Sequence, residues 1–145
     1  MYWTDPGRDV IEKASLDGST RTTLHSTGLS NVVGLTLDYQ NQTLYWMEHT
    51  YHGRIEKSLV NGSSRETIFS GFYYRYPWGI AYFAGTLYLT ERSHRRINSV
   101  SVIQPITVNI VTSTGNYPYD IKVIAEEQQQ IGYLTVYVVI FDSIM

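Results

Sequence analysis

The chain has 145 residues, 43% hydrophobic and 17% charged, with 11 glycines and 4 prolines. That is the composition of one globular domain, neither a disordered tail nor a collagen-like rod. Lys and Arg total 11 against 13 Asp and Glu, a net charge of -2, which argues against a general nucleic-acid binder. Cysteine is absent, so the sequence offers no disulfide framework, thiol nucleophile or thiolate metal site.

No apolar run reaches the ~18–20 residues of a membrane span. The longest, Ile131 to Phe141, is short and interrupted by Gly132 and Thr135. Met1-Tyr2-Trp3-Thr4-Asp5 lacks the basic and apolar regions of a signal peptide. Tyrosine is unusually common, at 13 beside 3 Trp and 4 Phe. Aromatic and β-branched residues favour sheet, so the expected class is all-β.

In chain order, Tyr2-Trp3-Thr4-Asp5 recurs 43 residues on as Tyr45-Trp46-Met47-Glu48, and another 43 on as Tyr88-Leu89-Thr90-Glu91. Other landmarks travel with it at nearly the same spacing. Ile11-Glu12-Lys13 returns as Ile55-Glu56-Lys57, and Leu16-Asp17-Gly18-Ser19-Thr20-Arg21 as Val60-Asn61-Gly62-Ser63-Ser64-Arg65. Val32-Val33-Gly34-Leu35-Thr36-Leu37 returns as Pro77-Trp78-Gly79-Ile80-Ala81-Tyr82, then as Pro118-Tyr119-Asp120-Ile121-Lys122-Val123. Each repeat reads as four short strands. For the central one these are Gly34 to Asp38, Thr43 to Glu48, Arg54 to Leu59 and Arg65 to Phe69, with a turn at Tyr39 to Gln42 and a loop at His49 to Gly53. Asp17-Gly18 and Asn61-Gly62 are two-residue hairpin signals, which call for φ > 0 at both positions. The second strand is apolar on both faces, Leu44 and Trp46 on one, Tyr45 and Met47 on the other. A sheet buried on both sides by neighbouring sheets explains this, and four strands per ~40–45 residues stacked radially is a propeller blade. The expected layout is repeat 1 over 1–43, repeat 2 over 44–86, a degenerate repeat 3 over 87–125 and a divergent tail over 126–145.

These motifs together resemble the YWTD repeat, the class B repeat of the low-density lipoprotein receptor family. The resemblance covers roughly residues 1 to 125. It implies an all-β, six-bladed YWTD propeller of which about three blades are present, with repeat 3 as the last blade. It also implies an extracellular location on the outer face of a single-pass cell-surface protein, with EGF-like modules as neighbours. Six blades of about 43 residues need roughly 258, so the sequence is expected to be a fragment or truncated gene model. Three departures stand out: Leu89 replaces Trp and Val102 to Ile106 lacks the Asp-Gly-Ser turn; Asp120 replaces the glycine of Gly34 and Gly79; and the tail from Ile131 matches nothing in the family.

Tyr2, Trp3, Thr4, Asp5, Tyr45, Trp46, Glu48, Tyr88, Glu91, Gly34 and Gly79 are expected to be structural. The aromatics fill the wedge between blades, and the carboxylate accepts loop N–H bonds. Ligand binding is expected at one rim, since loops on a rigid scaffold carry function. By the resemblance, that rim is the loop after each YWTD strand, at Pro6 to Asp9, His49 to Gly53 and Arg92 to Arg96, with the residues flanking Pro-x-Gly. The candidate binding residues are Val33, His49, His52, Tyr76, Trp78, Arg92, His94, Arg95, Tyr117 and Tyr119. Tyr and Trp suit protein anchoring, the basic loop suits an acidic ligand, and His49, His52 and His94 suit pH sensing.

Glu48-His49-x-x-His52 lacks the spacing and third ligand of a metal site, so no metal and no cofactor are expected. Catalysis finds no nucleophile motif, and adjacent Glu126 and Glu127 point to opposite faces of a strand. Asn41-Gln42-Thr43 and Asn61-Gly62-Ser63 fit the N-glycosylation sequon. Asn61 is also a turn residue, so a purely structural role weighs more there than at Asn41. The leading function is protein-ligand binding by a lipoprotein-receptor-related endocytic or signalling receptor. The alternative is a nidogen-type matrix scaffold holding a laminin-like partner, and a propeller enzyme ranks third.

Overall fold

Short β-branched and aromatic runs, separated by Gly-, Asn- and Asp-containing turns, become strands along the whole chain. The computed structural model describes residues 1–50, 52–73, 76–128 and 133–142. Among these the strands are β1 (Tyr2–Asp5), β2 (Val10–Lys13), β3 (Thr22–His25), β4 (Val32–Asp38), β5 (Thr43–Glu48), β6 (His52–Leu59) and β7 (Glu66–Tyr73). They continue as β8 (Pro77–Phe83), β9 (Thr86–Glu91), β10 (Arg96–Ser101), β11 (Val108–Ser113), β12 (Pro118–Gln128) and β13 (Tyr133–Asp142). No helix occurs among the described residues.

Every pairing is antiparallel and sequential. Two complete four-stranded blades, β4-β5-β6-β7 and β8-β9-β10-β11, lie between the three-stranded sheet β1-β2-β3 and the hairpin β12-β13. This is a run of about three blades in an all-β propeller. The sequence period begins on the second strand of each sheet, because the YWTD strand follows the blade's innermost one. The inner strands β4, β8 and β12 are neighbours in space, and β1 packs beside β4. They are tied directly where Tyr82 N–H donates to Thr36 Oγ1 at 3.1 Å.

Burial explains the two-faced second strand. All six residues of β5 are buried. Leu44 and Trp46 join Ile11 and Val32 in a cluster with Tyr2 and Leu24 of the first sheet packed against it. Tyr45 and Met47 join Ile80, Leu87 and Leu89 against the next blade. Strand β9 repeats the pattern, with Leu89 on that same cluster and Tyr88 packed against Ala81, Ile97 and Ile121. Leu89 therefore fills the slot of the missing tryptophan.

The hairpin turns differ from the two-residue form. Gly18 and Gly62 have φ of 83° and 90°, and the other left-handed residues are Thr20 and Ser64, not Asp17 and Asn61. The turn is longer: Gly62 N–H donates to Leu59 O at 2.8 Å and Leu59 N–H to Ser63 O at 2.9 Å. Asn61 keeps negative φ because its side chain caps the turn, accepting from Ser63 N–H at 2.9 Å.

Candidate functional site

The repeated motifs first build a lock inside each sheet. Glu12 on β2 and Glu56 on β6 are buried carboxylates. Arg21 donates to Glu12 from Nε at 3.1 Å and Nη2 at 2.5 Å. Arg65 donates to Glu56 from Nε at 2.9 Å and Nη2 at 2.6 Å. Each arginine also lies over the tryptophan of its own repeat, Arg21 at 5.3 Å from the Trp3 ring and Arg65 at 5.6 Å from Trp46. The Arg21 bond holds the Glu12 carboxyl below its ordinary range. Planar guanidinium suits both the carboxylate fork and the ring face. This role went unassigned in the sequence, although the arginine recurs in register with the glutamate.

The YWTD carboxylates are also bound. Asp5 accepts from Arg8 N–H at 3.1 Å. Glu48 accepts both Arg54 Nε and Nη2 at 2.9 Å. Glu91 accepts from Asn98 Nδ2 at 2.7 Å and is bonded to His94 Nδ1. Tyr2, Trp3 and Thr4 are half-buried on β1.

The glycines position the rim. A Cβ on Gly34, whose φ is +50°, would stand 2.6 Å from the Trp78 carbonyl oxygen. One on Gly79 would stand 2.8 Å from Asp120 Cα and 3.0 Å from the Tyr119 carbonyl oxygen. Each bare Cα thus lets the next blade's aromatic backbone approach.

Above these glycines lies the cluster. His49 follows β5, Arg92 follows β9, Tyr76 and Trp78 flank Pro77, and Tyr117 and Tyr119 flank Pro118. The His49 ring meets Tyr76 at 5.0 Å and Trp78 at 5.3 Å, both edge-on. Trp78 meets Tyr119 edge-on at 6.0 Å. The Arg92 guanidinium lies 4.0 Å from the Tyr119 ring centre, 5.5 Å from Trp78 and 6.0 Å from Tyr117. Its Nη2 donates to the Tyr119 hydroxyl at 2.5 Å. Arg95 lies over Tyr117 at 4.6 Å.

His49, Tyr76, Arg92, Ser93 and Tyr117 line a cavity of about 480 Å³. Two nitrogens here, His49 Nδ1 and Arg92 Nε, are buried without a hydrogen-bond partner, which is a cost a polar ligand group would remove. Tyr76 sits at φ 46°, a strained conformation for so bulky a residue. Burial, then the Arg92 charge, lowers the His49 pKa from its ordinary value. The Arg95 bond and charge lower that of the Tyr117 phenol. Trp78 and Tyr117 remain 36% and 47% exposed.

Other expected rim residues lie elsewhere. Val33 is buried in the core with Met47 and Ile80, although its strand carries the same register irregularity as the strands of Trp78 and Tyr119. His52 opens β6 as an exposed residue outside the cavity lining. His94 is held by Glu91, and Arg95 is outside the cavity lining and reaches it only through Tyr117. Tyr51, in the expected His49 to Gly53 loop, lies outside the described residues. Ser93, within the expected Arg92 to Arg96 loop, lines the cavity, and Asn31 is an unforeseen neighbour of His49. Asn31 Nδ2 donates to His49 O at 3.0 Å, and its own N–H donates to Asp9 at 2.6 Å. Among the described residues no three His, Asp or Glu gather as a metal site.

Comparison with known proteins bears on this geometry. No family model matches the chain. The vitellogenin receptor Yl of Drosophila melanogaster is 29% identical over 100 residues, covering 68% of this chain and 5% of that receptor. A chain of the nidogen/laminin complex aligns with a TM-score of 0.73 and 25% identity, covering 93% of this chain and 53% of that one. The chain is part of a YWTD propeller. TolB from Acinetobacter baumannii shares the fold alone, at 14% identity and a TM-score of 0.63 over 97% of this chain and 38% of its own. The YWTD segment thus spans a small share of the receptor and about half of the nidogen/laminin chain.

Proposed function

We propose that this YWTD propeller segment binds extracellular protein ligands at the rim built by His49, Tyr76, Trp78, Arg92, Tyr117 and Tyr119. The supporting observation is the cavity of about 480 Å³ in which His49 Nδ1 and Arg92 Nε are buried and unpartnered. Aromatics and arginine are the residues that dominate protein-binding hot spots. The module is a binder, not an enzyme, and its parent is a lipoprotein-receptor-related endocytic or signalling receptor, with the propeller on the outer face of the cell and EGF-like modules as neighbours. Similarity to a vitellogenin receptor supports the receptor reading.

A second reading, a matrix scaffold of nidogen type with a laminin-like partner, is favoured by the TM-score of 0.73 to the nidogen/laminin complex. Vitellogenin and laminin are therefore the two probes. On the parent protein, Trp78→Ala or Tyr119→Ala is expected to weaken the probe that binds by about 2 kcal/mol, roughly 30-fold, while surface or secreted amounts hold. Normal binding by both variants would move the ligand contact off these aromatics, first to the basic loop of Arg92, His94 and Arg95. Binding of laminin alone would select the matrix reading.

A further inference from the structure

Strand direction separates the two sequons from the rim. Thr43 pairs with Leu59 and Glu48 with Arg54, so His49 is at one end of the blade, and the turns holding Asn41 and Asn61 are at the other. The two asparagines differ in what their amides do. Asn41 N–H donates to Asp38 Oδ1 at 3.1 Å and Asn41 Nδ2 to Asp38 Oδ2 at 2.7 Å, and that carboxylate is buried. The sequon threonine, Thr43, is itself buried, and its Oγ1 donates to Asn41 O at 3.0 Å. A glycan on Asn41 Nδ2 would have to grow beside a buried carboxylate that the amide already holds.

Asn61 uses only its oxygen. Oδ1 accepts Ser63 N–H at 2.9 Å and Ser63 Oγ at 2.7 Å, while Nδ2 finds no protein partner among the described residues. The equivalent turn in the first sheet shows that the nitrogen is dispensable. Asp17 Oδ1 accepts Ser19 N–H at 2.9 Å and Ser19 Oγ at 2.8 Å, with an oxygen where Asn61 has its amide nitrogen. Asn61 and Ser63 are both exposed.

We propose that Asn61 is the N-glycosylated residue of this chain and that Asn41 is not, which places the glycan on the face away from the ligand rim. The donor is a polyprenyl-diphosphate-linked oligosaccharide. Asn61 Nδ2 bonds to the sugar's anomeric carbon, the carbon–oxygen bond to the diphosphate breaks, the diphosphate leaves with that electron pair, and one Nδ2 proton passes to base. The inference rests on the extracellular reading above for its occurrence in the natural protein.

The test expresses the chain behind a heterologous secretory signal and recovers it from the endoplasmic reticulum and the medium. Amidase removal of the glycan in ¹⁸O-water marks the modified asparagine as labelled aspartate. Label at Asn61 alone is expected. Asn61→Asp and Ser63→Ala should each abolish the mass shift, the first while keeping the turn as Asp17 does, and Asn41→Asp should leave it unchanged. Label at Asn41, at both residues or at neither overturns the proposal. The forced routing makes this result independent of the receptor or matrix reading, which fails separately if the natural gene product with its own leader stays in the cytosol.

Discussion

Arg65 and Arg92 make the same contact with opposite consequences. Both guanidiniums lie over an aromatic ring, Arg65 at 5.6 Å from Trp46 and Arg92 at 4.0 Å from Tyr119. Around Arg65 all three nitrogens are engaged: Glu56 takes Nε and Nη2, Thr27 O takes Nη1 at 2.6 Å and Gly28 O takes Nη2 at 2.7 Å. Around the Arg92 guanidinium, only the Tyr119 hydroxyl is engaged among the described residues, and Nε is buried with no partner. A stacked arginine with every nitrogen engaged is a clasp between sheets. One whose buried Nε is left unpartnered offers the donor that the proposed ligand would meet.

The largest effect that separates the two settings should come from Trp46, the fully buried ring beneath the Arg65 clasp. Trp46→Ala is expected to cost roughly 3–5 kcal/mol through the cavity it leaves, read as a drop in the denaturation midpoint and in recovered folded protein. Next, Arg65→Ala leaves the buried Glu56 carboxylate without its fork, a loss on the order of 3 kcal/mol. Arg92→Ala should cost about 1 kcal/mol or less of stability, as a partly exposed cation–π contact does, and should instead reduce probe binding at least tenfold. If Arg92→Ala destabilised the fold as much as Arg65→Ala, the distinction between clasp and ligand donor would collapse.

A subtler break in the comparison is Gly79→Ala. The added Cβ would meet Asp120 Cα at 2.8 Å and the Tyr119 carbonyl oxygen at 3.0 Å, so the backbone carrying Tyr119 must shift. A change of about 1–3 kcal/mol is expected from such overpacking. Binding should fall with it, because Tyr119 carries Arg92. Retained binding in a folded Gly79→Ala protein would show that the rim tolerates displacement of Tyr119.

Much of the scaffold was legible because a propeller blade repeats in sequence as well as in space. The 43-residue steps between Tyr2, Tyr45 and Tyr88 and the two apolar faces of Thr43 to Glu48 predict a sheet covered on both sides, and β5 is buried throughout. The limits are physical. Periodicity assigns a residue to a strand position but not how far its side chain reaches. The same register shift recurs in β4, β8 and β12, and Val33, in register with Trp78 and Tyr119, is a small apolar side chain that packs in the core. An Asp-Gly or Asn-Gly pair signals a turn, but the competing Asx cap at Asp17 and Asn61 chooses its length. The Arg92 stack joins residues 27 apart in different blades, a distance over which no local pattern operates, and only the flanking prolines place those aromatics at one rim.

The smallest expected effect extends the same pair of arginines to pH. Each stands beside a histidine whose pKa is lowered. For His25 the first cause is burial and the second the Arg65 charge, with Glu56 opposing; for His49 it is burial, then Arg92. His25 is fixed at the first blade junction by the Trp46 ring at 5.1 Å and Ser58 Oγ at 2.9 Å. A histidine harder to protonate folded than unfolded leaves stability complete above the unfolded value of about 6.5 and erodes it as pH falls from there toward the lower folded value. The urea midpoint of the protein should therefore fall between pH 7.5 and 5.5. His25→Phe keeps a ring against Trp46 and leaves Ser58 Oγ its bond to Leu59 O at 3.0 Å, so its midpoint should fall less over the same interval. His49→Phe should remove a separate share, and Arg92→Ala should shrink that share without touching the one at His25, because each arginine acts on its own neighbour. Equal slopes in wild type and His25→Phe would place the pH dependence outside the clasp.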